Sequence, residues 1–176
     1  MPPRYSPRGV TLRRVEARTL LANKTLLWAG AVVTASAAVF FPKIQGIRDT
    51  GDSWWRLATF FVPQDREGLV LVPLVILLTF ALFAFVGRRA WEDASARNRP
   101  AKVGFICALL GLVGVLAFFV SAPIMFGGLG ATLGAEGRRR SDTEGRAALA
   151  SAAIAVGAAA FAIGAGIWVF GEELSI

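Results

Sequence analysis

The sequence predicts an all-α, polytopic integral membrane protein. It should have four full transmembrane helices, one short Gly-rich half-spanning or fifth helix, and a short interfacial helix in the first outer loop. Three observations lead there. First, 55% of the 176 residues are hydrophobic and the mean hydropathy is +0.58, well above that of a soluble domain. Second, the apolar residues are bunched: Thr25–Phe41, Leu69–Gly87, Val103–Ala135 and Ala147–Gly171 contain no charged residue. A spanning helix needs about 20 apolar residues, and about 17 suffice. Third, the 19 Lys and Arg residues gather in the connections between these runs, as topology signals do. The short alternating segments of a β-barrel do not occur.

The chain divides into a basic arm, residues 1–24, and a single transmembrane helical domain, residues 25–176. The arm holds Arg4, Arg8, Arg13, Arg14, Arg18 and Lys24 against one acid, Glu16. Such a segment is drawn to anionic lipid headgroups by roughly 1 kcal/mol per basic residue near the surface. The first segment, 25–41, with Ala35-Ser-Ala37 inside it, imitates a signal peptide and its cleavage site. The apolar run nevertheless continues through Val39-Phe-Phe41, so an uncleaved span is expected. Pro42 ends it.

The connection to Gly68 balances four basic against four acidic residues and contains "DSWWRLATFFV". Asp52 or Ser53 can cap a helix there. An interfacial helix over 53–62 follows, offering Trp54, Trp55, Leu57, Phe60 and Phe61 as a docking surface at headgroup depth. The second segment, 69–87, carries Pro73 near its start and stops at Gly87-Arg88-Arg89.

Between Val103 and Ala135 the charge-free run is longer than one helix needs, and Ser121-Ala-Pro123 interrupts it. Splitting there yields segments 103–120 and 122–135 and sends the loop "GRRRSDTEGR" back to the side of the arm. Residues 1–24, 88–102 and 137–146 then share one side with 15 of the 19 Lys/Arg, and the other four lie in 43–68. Trp28 and Trp91 would mark the inner interface, and Trp54, Trp55 and Trp168 the outer one. A shift of 50 residues superposes Pro73 on Pro123 and Gly87-Arg-Arg89 on Gly137-Arg-Arg139, as though one unit were used twice. The segment 122–135 is short, and its glycines Gly127, Gly128, Gly130 and Gly134 need shelter from neighbouring helices.

The last segment, 147–170, has Ala150, Ala153, Gly157, Ala160 and Gly164 at alternating spacings of 3 and 4. This small-residue stripe lets backbones approach closely, either within the chain or at a seam for another subunit. The stretch "LGLVGVLAFFVSAPIMFGGLGATLGAEGRRR" followed by "GRAALASAAIAVGAAAFAIG" resembles a family of small bacterial membrane domains of unknown function. That pattern is a Gly-rich apolar double segment, a basic Gly/Arg turn and an Ala/Gly-rich helix, covering residues 103–166. The resemblance implies a helical membrane domain and brings no activity, cofactor or site.

Chemistry is signalled mainly by omission. The chain has no histidine and one cysteine, Cys107. The commonest general base and the usual zinc ligand sets are therefore missing. No Asp, Glu, Lys or Arg lies mid-segment, where proton relays and ion pathways place them. The acids Asp49, Asp52, Asp65 and Glu67 match no calcium loop. The sequence expectation is accordingly no enzyme, no cofactor, no metal and no nucleic-acid partner. The expected role is a non-enzymatic integral subunit or accessory protein of a larger complex in a bacterial cytoplasmic (inner) membrane, with the N-terminus cytoplasmic. Its partners would be other integral membrane proteins, and anionic lipids through the arm. The alternative is a homo-oligomeric small pore or transporter with a Gly-rich re-entrant segment. The basic turns Arg88, Arg89, Arg138, Arg139 and Arg140 belong to the cytoplasmic face in this reading.

Overall fold

A computed structural model describes residues 24–42, 66–93, 98–116, 121–141 and 144–170. Among them the secondary structure is helical throughout, with no strand. We number the helices α1 (Lys24–Pro42), α2 (Arg66–Leu82), α3 (Arg88–Glu92), α4 (Arg99–Leu116), α5 (Ala122–Arg139) and α6 (Glu144–Phe170). A π-helical turn, Phe83–Gly87, joins α2 to α3 without a break. Among the described residues three helices are long and apolar enough to cross a membrane: Lys24–Pro42, Val70–Glu92 and Arg146–Phe170. The interfacial helix expected over 53–62 and the arm up to residue 23 lie outside the described residues, as does the tail from 171.

The break at Ser121 is real, and its cause is visible. Ser121 adopts a left-handed conformation (φ 50°, ψ 6°), and its hydroxyl donates 2.9 Å to the carbonyl of Ala38 on α1. Pro123 follows in the first turn of α5, where a missing N–H costs nothing. The chain therefore reverses between α4 and α5 instead of continuing as one long helix.

The fifth segment differs from expectation in length. It runs to Arg139 rather than stopping near 135, giving an 18-residue helix, roughly 27 Å at 1.5 Å per residue. It persists despite its glycines because it occupies the centre of the bundle. A Cβ on Gly130 would lie 2.8 Å from the Ala108 backbone nitrogen, and one on Gly137 would lie 2.7 Å from the Ala101 Cβ. On the α6 side, a Cβ on Gly127 would lie 2.7 Å from the Gly157 carbonyl oxygen. On the α1 side, a Cβ on Gly128 would lie 2.3 Å from the Thr34 hydroxyl. Glycine costs helix propensity of about 1 kcal/mol per residue, and close approach of the α4 and α6 backbones and of the Thr34 side chain on α1 offsets it.

These contacts also set direction. Pairs along α4 and α5 run Ala101/Gly137, Gly104/Gly134, Ala108/Gly130 and Gly111/Gly127, so the two helices are antiparallel. Gly157 against Gly127 and Gly164 against Pro123 make α6 antiparallel to α5 as well. Gly30 against Thr132 and Thr34 against Gly128 do the same for α1. Leu27, Ala31, Phe83, Trp91, Cys107, Leu129 and Leu133 form one core cluster; Ala38, Val39, Val75, Ile124 and Met125 form a second. Trp28 stacks on Phe80 with ring centroids 6.4 Å apart, which ties α1 to α2.

Candidate functional site

The alternating directions bring five helix ends together: the starts of α1, α4 and α6 and the stops of α3 and α5. Lys24, Arg88, Arg89, Arg99, Lys102, Arg138, Arg139, Arg140 and Arg146 all lie at this end. At the opposite end the described residues include only Arg66 and Glu67 as charged groups. The two Gly-Arg-Arg turns are thus neighbours.

Most ion pairs here are exposed. Lys24 Nζ lies 3.3 Å from Glu92, Arg88 Nε 2.9 Å from the same carboxylate, and Arg99 Nη1 2.9 Å from Asp93. Pairs of this kind contribute about 0–1 kcal/mol.

The inner layer is different. Glu136 is 1% exposed, one turn before the end of α5. Arg140 donates through Nε to Glu136 Oε1 at 2.7 Å and through Nη2 and Nη1 to the carbonyls of Trp91 (2.7 Å) and Asp93 (3.1 Å). One guanidinium thus holds a buried carboxylate on α5 and two orphan carbonyls at the end of α3. Arg139 adds a longer contact to Glu136 at 3.5 Å. Beside this latch Asn98, at φ 45°, donates to the Gly137 carbonyl at 2.8 Å and to the Ser141 hydroxyl at 3.0 Å. The Ser141 hydroxyl in turn donates to Gly137 O at 2.7 Å. Among the described residues two buried side-chain atoms have no hydrogen-bond partner: the indole nitrogen of Trp91 and Oδ1 of Asn98.

This arrangement clamps the α3 and α5 ends. Among the described residues no group of His, Cys, Asp or Glu could hold a metal.

The sequence-derived candidates are distributed as follows. Ala150, Ala153, Gly157, Ala160 and Gly164 are buried, turned toward α4 and α5, so the chain's own helices fill that stripe. Arg88 pairs with Glu92, Arg138 donates to the Ser151 hydroxyl at 3.2 Å, and Arg139 and Arg140 serve the latch. Arg89 is exposed. Trp54, Trp55, Leu57, Phe60 and Phe61 lie outside the described residues. Trp91, expected to mark the inner interface, lies at the basic end with its side chain 4% exposed, packed with Phe83 and Cys107. Glu136 escaped sequence reasoning, although an acid followed by Arg at +3 and +4 is the spacing at which helical ion pairs form. Comparison with known protein families, characterised proteins and solved structures found no match, so the resemblance over 103–166 adds no residue roles.

Proposed function

We propose that the chain is a non-enzymatic integral subunit or accessory protein of a larger bacterial membrane complex. It crosses the cytoplasmic membrane five times, with the arm and both Gly-Arg-Arg turns on the cytoplasmic side, and works by helix packing. One observation carries this reading: the outer face of α6. Ala148, Ser151, Ala155, Ala159 and Ala162 are exposed along it, and nothing lies within 4 Å of a Cβ built on Gly166. These positions repeat at spacings of 3 and 4, parallel to the stripe already used inside. The exposed faces of the other long helices are bulky by contrast, with Val33 63%, Leu77 66% and Val113 60% exposed. Lipid tails fill the surroundings of bulky side chains well. A flat strip of alanine and glycine gains only when another helix comes close enough for backbone contact.

A homo-oligomeric pore lined by the Gly-rich segment is the second reading. The burial of α5 inside its own bundle weighs against it, since its glycines meet neighbouring backbone or side chains rather than a water path.

The test is extraction of tagged full-length protein from its native membrane in several mild detergents. Stoichiometric recovery of larger membrane proteins is expected with wild type. Ala159→Leu with Gly166→Leu should abolish that recovery while leaving helix content unchanged. Migration of wild type as a lone 18.7 kDa chain in every detergent would sink the proposal.

A further inference from the structure

We infer that the groove between α3 and α4 at the basic end binds one anionic phospholipid, with Arg89 and Lys102 holding its phosphate. The charge accounting of this end singles these two residues out. Glu92 is occupied by Lys24 and Arg88, Asp93 by Arg99, and Glu136 by Arg139 and Arg140. Arg89 and Lys102 are exposed and form no ion pair with any described residue.

They also sit on adjacent elements. Helices α3 and α4 are in contact, and Trp91 on α3 and Val103 on α4 belong to one core cluster with Cys107. One helical turn deeper into the bundle, each cation has a large exposed apolar neighbour: Phe85, in the π turn that leads into α3, at 66% for Arg89, and Ile106 on α4 at 56% for Lys102. Residues four apart share a helix face. The surface therefore reads as positive charge at the end and apolar area beneath it, which is the pattern of an anionic headgroup above acyl chains. Long basic side chains at such a position extend toward the headgroup layer while their stems cover apolar surface.

Phosphate carries the negative charge this pair lacks, and a bilayer supplies it at the right depth. A soluble phosphate compound would satisfy the cations and leave Phe85 and Ile106 uncovered, so the lipid is the occupant that uses both parts. The site uses neither the α6 outer face nor the N-terminal arm, so its failure and the failure of the subunit reading are separable.

Native mass spectrometry of the full-length chain in mild detergent tests it, with palmitoyl-oleoyl phosphatidylglycerol and phosphatidylcholine titrated in turn. Wild type should retain one phosphatidylglycerol in strong preference to phosphatidylcholine. Water-soluble glycerophosphoglycerol at equal concentration should fail to displace it. Arg89→Gln with Lys102→Gln should lower retention roughly thirtyfold, the scale expected for two basic residues near a lipid surface. Neutralising Arg4, Arg8, Arg13, Arg14 and Arg18 together should leave it in place. Equal retention of the two lipids by wild type would overturn the inference without reference to any variant. Displacement by the soluble headgroup, unchanged retention in the double variant, or loss on neutralising the arm would each overturn it as well.

Discussion

At the scale of the residue, the Glu136–Arg140 pair shows how a charge comes to be tolerated next to the apolar core. Glu136 retains a charged partner at 2.7 Å, and Arg140 spends its remaining donors on carbonyls that α3 leaves unpaired. The two partners are not equivalent. Arg140→Ala would leave a carboxylate that is 1% exposed with only the longer Arg139 contact, at a cost of about 3 kcal/mol, the low end for a broken buried pair. Glu136→Gln keeps an acceptor for the guanidinium, whose side chain is 28% exposed, and should cost about 1 kcal/mol. Thermal unfolding in detergent should rank the variants in that order, Arg140→Ala well below Glu136→Gln. Equal melting temperatures would show that the latch contributes nothing. The sequence allowed a basic turn to be read here but not the latch, because pairing across helices depends on where α3 stops. Trp91 illustrates the same limit: its position beside Arg88 and Arg89 suggests an interface, yet helix rotation buries it. Rotation of a short helix after a π turn is not encoded in a local apolar pattern.

At the scale of the element, the apolar runs were legible because their charge-free lengths match helices, and the reversal was legible from Ser121-Ala-Pro123. Helix ends were less so. The expected stop of the Gly-rich segment near Ala135 assumed that charge ends a helix, whereas Glu136, Arg138 and Arg139 continue α5 by pairing along and across it. The glycines of α5 are explained by proximity rather than flexibility. A methyl group at Gly127 would meet the Gly157 carbonyl at 2.7 Å and the Phe161 nitrogen at 2.8 Å, both backbone atoms that side-chain rotation cannot move. Gly127→Ala should therefore separate α5 from α6 and cost about 1–3 kcal/mol as overpacking does. Gly166→Ala, with open space around it, should be neutral or slightly stabilising through helix propensity. Thermal denaturation of the two variants in the same detergent gives the comparison. A Gly127→Ala protein as stable as wild type would mean that the tight α5–α6 approach is not needed.

At the scale of the whole molecule, the decisive feature is which helix ends share a side. The α4 and α5 backbones pair antiparallel along the Ala101/Gly137 to Gly111/Gly127 register, so the start of α4 and the stop of α5 share one end. A continuous crossing over 103–135 would place them at opposite ends. In the proposed arrangement fifteen of the 19 Lys/Arg would share the side of the arm, and the tail with Glu172 and Glu173 would lie on the other. Positive residues favour the cytoplasmic side, so the proposed orientation rests on helix direction and charge together. It can be checked by thiol labelling in a Cys107→Ala background, a change confined to a buried apolar position. In intact cells the Thr143→Cys variant should resist a membrane-impermeant maleimide and react after permeabilisation, while the Ser175→Cys variant should react at once. Labelling of Thr143→Cys from outside, with Ser175→Cys protected, would require an orientation opposed to the charge asymmetry and would defeat the five-crossing, arm-inside arrangement.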